Sequence, residues 1–421
     1  MKIKIPFLLS LFLLASCHKD DEKTPEPQEP ACSILVYIAA ENNLNNFSVS
    51  DIDEMKIASK SLKDRQNLIA YIDRAGNNPP FFARIKNGQF VDSVSVEESL
   101  SADPSTLEKA LQYVRTNYPA ESYGLVLWGH GSGWLVSNDS VTYNRSRAYG
   151  GDTGTGSSSG SGKYWMNIPS MARAIKNGME GTPLKFIMGD CCSFGCVEIA
   201  YELRLLTDYI IGSPAEVPDD GAPFQLIIPD MFGTNASFYE SVIDHYYNYY
   251  SDEYKNKPYR YYNKNTGDLE GYSVPLAAIK TSELDHLAQA TSQILTTIAD
   301  KLTPDGSLNL TDVTYYAIYG SNRYSYDINN VLKNNASPND YNIWLNAYHQ
   351  AVPYHRYSQK WLTAYSSLAT SMSTFEPEGS SCGAVSMFFP NTAYSNTSPN
   401  WNTSIQQLQW NNIIRWQQYG W

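Results

Sequence analysis

The chain has 421 residues, and 31 Lys and Arg against 43 Asp and Glu give it a formal net charge of −12 at pH 7. Proteins that bind nucleic acids owe most of their affinity to clustered Lys and Arg, so this balance argues against a nucleic-acid partner. With 42% hydrophobic and 18% charged residues, the sequence is not that of a disordered chain, and it is long enough for one large core or two smaller ones.

The first 16 residues are predicted to be a signal peptide. Two lysines precede a short apolar stretch, and small residues come before the expected cleavage point. The apolar stretch is shorter than the ~20 residues that spanning a bilayer requires. The ending Leu-Ala-Ser-Cys resembles the bacterial lipobox, in which the cysteine becomes the lipidated first residue. We therefore expect lipidation at Cys17.

Residues 17–31 are charged and Pro-rich, which predicts an extended tether between the lipid and the folded chain. The run Lys19-Asp20-Asp21-Glu22 resembles the tag with which some Gram-negative bacteria carry lipoproteins to the cell surface. We expect an outer-membrane lipoprotein that is exposed at the cell surface, monomeric, and held to the membrane by its lipid anchor only.

Six cysteines stand at positions 17, 32, 191, 192, 196 and 382. Lipidation of Cys17 would leave an odd number without regular spacing, so no disulfide framework is predicted. Three of them fall within six residues, at 191–196, a cluster that suits a metal site, redox chemistry or a nucleophile. Because it lacks CxxC spacing and has no histidine nearby in sequence, the cluster argues against zinc.

Apolar runs alternate with helical patterns up to residue 212. Strands are predicted at 33–40, 66–72, 123–128, 184–188 and 209–212, and helices at 45–60, 103–118, 168–177 and 194–206. Residues 81–98 are predicted to form a hairpin that turns at Asn87-Gly88. This alternation predicts an α/β fold with a mostly parallel sheet and helices on both faces. Ligands of such sheets bind beyond the carboxyl ends of the strands.

Residues 150–162 contain six glycines and four serines. A phosphate cradle is the functional interpretation of such a segment, but the segment matches neither a P-loop nor a GxGxxG motif. It is therefore predicted to be a flexible, exposed loop.

The pattern weakens after residue 230. Helices are predicted at 238–250 and 281–302, a loop or hairpin at 252–271, and strands at 272–279, 314–319 and 384–389, while 335–412 stay unassigned. We expect one domain at 32–230 and a C-terminal α+β extension at 231–421, packed on the same sheet or continuing it.

Two of the predicted strands are followed directly by candidate catalytic residues. His130 comes just after the strand 123–128, between two glycines, and Cys192 follows the strand 184–188. Neighbouring parallel strands open into one crevice at their carboxyl ends, so the imidazole and the thiol are expected to face each other. A nearby imidazole and a helix N-terminus both favour the thiolate, which is the nucleophilic form, and Cys192 is expected to stand at the start of the helix 194–206.

Four segments of the chain resemble the clostripain-like cysteine peptidases, which are relatives of caspases, gingipains and legumains. They are 36–44 (VYIAAENNL), 127–134 (LWGHGSGW), 189–203 (GDCCSFGCVEIAYEL) and 212–224 (GSPAEVPDDGAPF), with a weaker match at 383–390 (GAVSMFFP). The resemblance implies a caspase-like sheet as the catalytic domain.

The resemblance also assigns roles to the paired segments. It implies that Cys192 is the nucleophile that forms the acyl-enzyme, that His130 is the general base, and that Cys191 is a bystander. The backbone N–H groups of Gly131 and Cys192 are expected to hold the oxyanion, whose charge appears only in the transition state. The resemblance demands no third, carboxylate member.

Substrate preference follows from acidic residues in the matching segments. Asp190 matches the acidic residue of the family's S1 pocket, and Asp220 lies in the segment that supplies a second acid. A carboxylate in a pocket favours Arg or Lys because it offsets the desolvation of that cation. Asp219 and Glu216 lie close enough in sequence to leave the second assignment open.

Relatives often mature by cutting themselves between the His and Cys segments. Self-cleavage is therefore expected in the loop 135–165, after Arg145, Arg147 or Lys163. The chemistry itself requires no cofactor. Some relatives need calcium, but the sequence has no EF-hand-like ladder of acids and nominates no ligands.

Two other classes of function stay open. A catalytically inactive caspase-like surface lipoprotein would bind glycan or protein through its Tyr- and Trp-rich C-terminal half, but it would have no need to keep both His130 and Cys192. A thiol redox protein would use Cys191, Cys192 and Cys196, which lack CxxC spacing. The sequence favours a cysteine endopeptidase that cuts after Arg or Lys.

Overall fold

The computed structural model describes residues 31–135, 148–253, 273–319, 322–358, 361, 382–397 and 399–421. The predicted signal peptide, the lipidation site Cys17 and nearly all of the tether lie outside the described residues. Within the described part of the chain, no helix combines the length and the apolar character needed to cross a bilayer.

The strands are β1 Cys32–Ala40, β2 Gln66–Arg74, β3 Phe81–Lys86, β4 Gln89–Ser95, β5 Ser122–Trp128, β6 His130–Gly131, β7 Tyr149–Asp152, β8 Tyr164–Met166, β9 Leu184–Asp190, β10 Thr207–Gly212, β11 Leu276–Lys280, β12 Tyr315–Tyr319, β13 Asn322–Asp327, β14 Tyr354–Arg356 and β15 Ser386–Met387.

The helices are α1 Phe47–Ala58, α2 Pro104–Asn117, α3 Ile168–Gly178, α4 Val197–Leu203, α5 Phe224–Met231, α6 Phe238–Asn248, α7 Leu284–Thr297, α8 Ile328–Asn335, α9 Pro338–Ala351, α10 Trp401–Ser404 and α11 Gln409–Ile414. Short 3₁₀ turns are Ser59–Ser61, Thr281–Glu283, Ala299–Lys301, Thr392–Asn396, Ile405–Gln407 and Trp416–Tyr419, and a π turn is Tyr249–Glu253.

The central sheet has nine strands in the order β14-β11-β10-β9-β5-β1-β2-β3-β4. The five middle strands, from β10 to β2, run parallel. Two antiparallel strands complete the sheet on each side, β3 and β4 at one edge and β11 and β14 at the other. The predicted α/β fold with a mostly parallel sheet is confirmed.

Both faces of this sheet are covered, which explains why its strands are continuous apolar runs. All nine residues of β1 are buried. Alternate side chains enter different cores, with Leu35 and Tyr37 on one face and Val36 and Ile38 on the other. Helices α2, α3 and α4 cover the first face, while α1, α5 and α6 cover the second.

Local sequence signals set several element boundaries. Asn87 and Gly88 have φ of 53° and 85°, the left-handed conformation that a two-residue type I′ turn needs, and the predicted hairpin is confirmed. Asp103 caps α2, because its carboxylate accepts a hydrogen bond from the Ser105 N–H at 2.8 Å.

The helix that follows the cysteine cluster begins later than predicted. α4 starts at Val197 instead of near residue 194, five residues after Cys192. Ser193 has a φ of +58°, and the Gly195 N–H donates to the Ser213 carbonyl at 2.7 Å, so the chain first follows the loop after β10. The expectation that Cys192 stands at a helix N-terminus is wrong.

The glycine-rich segment 150–162 is only partly the exposed loop that its composition predicts. Its first residues belong to β7, and the carboxylate of Asp152 is buried. The residues that follow wrap around Glu41, whose Oε1 accepts hydrogen bonds from the Thr155 N–H at 2.7 Å and the Gly156 N–H at 2.8 Å. The prediction is wrong for 150–153, which are buried, and the exposed positions lie further along.

The C-terminal part of the chain extends the central sheet through β11 and β14 and adds a three-stranded sheet, β12-β13-β15. Helices α9 and α10 lie in the region 335–412 that the sequence left unassigned, and α11 begins in it and ends at Ile414. The Ser386 N–H donates to the Gly195 carbonyl at 3.0 Å, and the Phe388 N–H donates to Glu198 Oε1 at 2.7 Å. The C-terminal part therefore packs directly behind the loop that carries the cysteine cluster.

Glu198 gives stability a dependence on pH. Its side chain is fully buried, and burial raises its pKa to about 7. A carboxyl whose folded pKa is raised stabilises the fold while protonated, and that stability is lost as the pH rises from about 4.5 through 7. Glu198→Gln keeps an acceptor for Phe388, so we expect a gain on the order of 3 kcal/mol at pH 8 and little change at pH 5, measured by urea unfolding.

The matched control is Glu240→Gln, which removes the same charge from an exposed position of α6. It should leave the pH dependence of unfolding unchanged. Equal gains for Glu198→Gln at both pH values would show that the buried charge is not the cause.

Candidate active site

The His and Cys segments meet at the carboxyl ends of two adjacent parallel strands. β5 and β9 pair with Trp128 opposite Asp190, and each chain leaves the sheet within two residues of that pair. Gly131 then packs on the second segment so closely that an added Cβ would lie 2.5 Å from the Cys192 carbonyl oxygen. Only glycine fits there. The predicted approach of the two segments is therefore observed.

The imidazole of His130 is held by a residue that the sequence did not nominate. Its Nε2 lies 2.7 Å from Oδ1 of Asn43, three residues after the end of β1. An amide oxygen only accepts hydrogen bonds, so Nε2 carries the hydrogen and Nδ1 is the basic nitrogen. The same argument that nominated His130 applies to Asn43, because β1 is the neighbour of β5 in the sheet.

The thiol of Cys192 lies partly buried against the loop after β10. Its sulfur accepts a hydrogen bond from the Val217 N–H at 3.4 Å. Burial, followed by the nearby Glu216 carboxylate, raises the pKa of Cys192 to about 12. Burial also raises the pKa of Glu216 to about 7. The thiol is therefore protonated at neutral pH, and forming its thiolate would require a base.

The two neighbouring cysteines lie deeper. Cys191 and Cys196 are buried, and burial raises the pKa of each thiol well above its ordinary value. The described cysteines are all free thiols. Buried thiols of raised pKa are chemically inert, and a redox role for the cluster has no support in this geometry.

The two predicted S1 acids differ in environment. Asp190 is buried, and its carboxylate accepts hydrogen bonds from the Ala222 N–H at 3.0 Å and the Tyr246 hydroxyl at 3.1 Å. Burial raises the pKa of Asp190 to about 6. Asp220 lies in the same loop as Ala222, but its residue is exposed. The structure brings the two segments together without placing both acids in one enclosed pocket.

Two acids that the sequence did not nominate adjoin Asp190. Asp51 of α1 is fully buried and accepts a hydrogen bond from the Trp128 indole N–H at 2.5 Å. Burial and the charge of Asp190 raise the pKa of Asp51. Glu54, one turn further along α1, accepts a hydrogen bond from the Phe224 N–H at 2.9 Å, and burial raises its pKa to about 7. Asp51 and Glu54 lie on a helix that is distant in sequence from Asp190, so their spacing did not indicate that they would adjoin it.

The remaining predicted positions lie in the connection between the His and Cys segments. Arg145 and Arg147 fall outside the described residues. Lys163 is exposed, and its N–H donates to the Asp152 carbonyl at 2.7 Å. Among the described residues, one group suits a metal ion: oxygens of Glu41, Asp73 and Glu98 lie within 4.8 Å of one another.

A parallel sheet that delivers a histidine and a cysteine to one edge defines a caspase-like cysteine peptidase. A family model described as the clostripain family matches residues 36–421. The chain belongs to this family, and the resemblance predicted from its motifs is confirmed.

Two solved structures and one characterised relative are similar to it. A secreted C11 cysteine protease from Bacteroides thetaiotaomicron, in complex with an irreversible peptide inhibitor, is 27% identical with a TM-score of 0.71, covering 92% of this chain and 99% of that one. An inactive zymogen C11 protease from Parabacteroides distasonis is 25% identical with a TM-score of 0.69, at 92% and 99% coverage. Clostripain from Hathewaya histolytica is 23% identical over 205 residues, which span 43% of this chain and 38% of clostripain. These relatives do not favour the catalytically inactive alternative.

The effect of the hydrogen bond between Asn43 and His130 on peptidase activity can be tested with Asn43→Ala. A single exposed hydrogen bond is worth about 0.5–1.5 kcal/mol, so we expect the variant to lose roughly two- to ten-fold in kcat/KM on a fluorogenic peptide. Asn43→Asp also accepts from Nε2 and adds a charge that favours the imidazolium. We expect it to recover the rate while moving the acidic limb of the pH profile to higher pH.

Asn46→Ala is the control, since Asn46 is exposed on the same segment and bonds to Asn45 instead of His130. Equal losses at positions 43 and 46, or an unshifted pH profile for Asn43→Asp, would contradict the assignment.

Proposed function

We propose that this protein is a cysteine endopeptidase that cuts peptide bonds after Arg or Lys, with Cys192 as nucleophile and His130 as general base. The observation that carries the proposal is the packing of Gly131 on the Cys192 carbonyl, which joins the two segments at one edge of the sheet. Cys192 is the partly exposed thiol of the cluster, whereas Cys191 and Cys196 are buried.

The reaction follows from the hydrogen bond that fixes the imidazole. With Nε2–H held by Asn43, Nδ1 takes the proton from the Cys192 thiol, and the sulfur attacks the carbonyl carbon of the scissile bond. The N–H groups of Gly131 and Cys192 stabilise the oxyanion. The tetrahedral intermediate collapses to a thioester when the amine leaves with the proton from His130. Water then hydrolyses the thioester, with His130 again acting as the base.

Because of the environment of the Cys192 thiol, attack by its sulfur depends on this proton transfer to His130. A thiol whose pKa is about 12 has a negligible thiolate fraction at neutral pH, so attack depends on the imidazole rather than on spontaneous ionisation. The nearby Glu216 carboxylate opposes the thiolate further, but its own pKa of about 7 leaves it partly protonated at neutral pH, which weakens that opposition.

The preference for Arg or Lys is supported by the acids beside the site. Asp190 is the last residue of β9, and Asp51 and Glu54 add carboxyl groups from α1. Together with the exposed Asp220 in the adjoining loop, they form an acidic group at this edge of the sheet, and a bound cationic side chain would draw its buried members into the ionised form. A cationic side chain would be attracted to these groups, whereas an acidic one would be repelled.

The N-terminal signals support a location for this activity. A lipobox ending at Cys17 and the charged tether after it fit a lipoprotein of the outer membrane, exposed at the cell surface and acting on protein or peptide substrates there. A C11 relative from Bacteroides thetaiotaomicron is described as secreted.

Fluorogenic peptides that end in Arg, Lys, Leu or Glu test the activity and its specificity. We expect cleavage after Arg and Lys, loss of activity to background in Cys192→Ala, and near wild-type rates in Cys191→Ala, because Cys192 is the half-buried thiol of the pair and Cys191 is buried. Loss in Cys191→Ala with retention in Cys192→Ala would overturn the nucleophile. Preferred cleavage after Leu or Glu would overturn the specificity.

Self-cleavage is a second proposal about the same site. Intact-mass spectrometry of purified protein should show a chain cut after Arg145, Arg147 or Lys163, while Cys192→Ala stays whole. A triple variant, Arg145→Ala, Arg147→Ala and Lys163→Ala, should also stay whole. An intact chain that is fully active, or a cut that persists in Cys192→Ala, would contradict self-cleavage.

A further inference from the structure

A tryptophan lies beside the imidazole of His130 and has no role in the proposed proton transfer. Trp165 belongs to β8, and the centroids of its ring and of the His130 ring are 6.0 Å apart, with an angle of 41° between the ring planes. Aromatic rings contact one another at centroid distances of about 4.5–7 Å. Trp165 is half-buried, so part of its indole is open to solvent next to the proposed general base.

The small sheet β6-β7-β8 brings the two rings together. His130 of β6 and Trp165 of β8 both pair with Gly150 of the middle strand β7. The next residue of β7, Gly151, makes room for the indole, because an added Cβ there would lie 3.1 Å from Cζ2 and 3.2 Å from Cη2 of Trp165. A side chain at position 151 would crowd the indole, so glycine there leaves the ring the space that it occupies beside His130.

The chemistry of the leaving group brings a substrate residue to the same place. In the proposed reaction His130 gives its proton to the amide nitrogen of the P1′ residue, which is the residue just after the cleaved bond. The two nitrogens must then approach within about 2.6–3.2 Å. Because the Cα of P1′ is only about 1.46 Å from its nitrogen, the P1′ side chain starts within about 6 Å of the imidazole. Trp165 lies at a similar distance from that imidazole.

We propose that Trp165 forms a wall of the S1′ site, and that the peptidase prefers an apolar residue at P1′. This inference rests on the proposed function, because it takes the position of the substrate from His130 acting on the leaving nitrogen. The indole offers the P1′ residue a large apolar surface that is already held in place. Leu or Phe at P1′ gains by leaving water for that surface, whereas Gly has no side chain to bury there.

A second role for Trp165 leads to a different result. An aromatic ring stabilises a nearby cation, so the indole could act on the imidazolium of His130 instead of on the substrate. Loss of the ring would then slow the cleavage of every substrate alike. It would also move the acidic limb of the pH profile to lower pH, because the imidazolium would lose its stabilisation. A wall of the S1′ site affects only substrates with a side chain at P1′.

Internally quenched peptides that share one sequence, with Arg at P1 and Leu, Phe or Gly at P1′, separate the two roles. We expect the wild type to cleave the Leu and Phe peptides at least about five-fold better than the Gly peptide, as kcat/KM. In Trp165→Ala this ratio should fall to about two-fold or less, while the rate on the Gly peptide and the pH profile stay as in the wild type. Trp165→Phe keeps an aromatic ring and should retain most of the preference.

Trp421→Ala is the matched control. Trp421 is also half-buried, but its indole N–H donates to the Leu302 carbonyl in the C-terminal part of the chain. This variant should keep the wild-type preference at P1′. Because Trp165 lies two residues after Lys163, intact-mass spectrometry should first confirm that the compared proteins carry the same cuts.

The possible failures can be told apart. A wild type that cleaves no Arg peptide would overturn the proposed function together with this inference. Cleavage of the Leu, Phe and Gly peptides at equal rates would overturn the S1′ wall alone, and this comparison needs no variant. A preference for Leu and Phe that survives in Trp165→Ala would assign it to other residues. An equal loss on all three peptides with a shifted pH profile would show that Trp165 acts on His130 instead.

Discussion

The parallel pairing of β5 with β9 is the constraint on which the rest of the site depends. It sets Trp128 opposite Asp190, so the segments that carry His130 and Cys192 leave the sheet at the same level along the strands. The contact of Gly131 with the Cys192 carbonyl follows from that register, because a shift by one residue would turn each side chain to the other face. The helices on both faces fix the register through two separate cores.

The same edge collects buried acids, and they shape both stability and chemistry. Asp51, Asp152 and Asp190 are buried carboxyls whose pKa burial raises. Each is less costly when it is protonated or matched by a positive group, so a cation bound beside them would stabilise the folded protein.

Sequence patterns correctly predicted the structural elements that are determined by residues close to one another in the chain. Long buried strands such as β1 and β5, the turn at Asn87-Gly88 and the cap at Asp103 all carry their signals within a few residues. The later elements are different, because β14 has three residues and β15 has two, and each exists only through pairing with distant chain. No short window of sequence contains that information, which is why β14 is absent from the predicted elements and β15 is shorter than the strand predicted at 384–389.

The errors near the site have physical causes too. Helical periodicity placed the start of α4 near residue 194, but a left-handed Ser193 and the hydrogen bond from Gly195 to Ser213 hold the chain outside the helix. Composition marked 150–162 as a free loop, yet Glu41 is buried beneath it and accepts its N–H groups. The sequence did not indicate Asn43, because its contact depends on the direction in which the His130 side chain points.

One short segment connects the two groups of polar residues that the sheet edge assembles. Glu41 turns its carboxylate toward Asp73, and two residues later Asn43 turns its amide toward His130. Asn42 lies between them and is locked, since its side-chain amide donates to the Ala39 and Gly151 carbonyls at 3.0 and 2.9 Å. A segment bonded at every residue has little freedom to move one end without the other. The position of the His130 imidazole is therefore tied, through three consecutive residues, to the loop that covers Glu41.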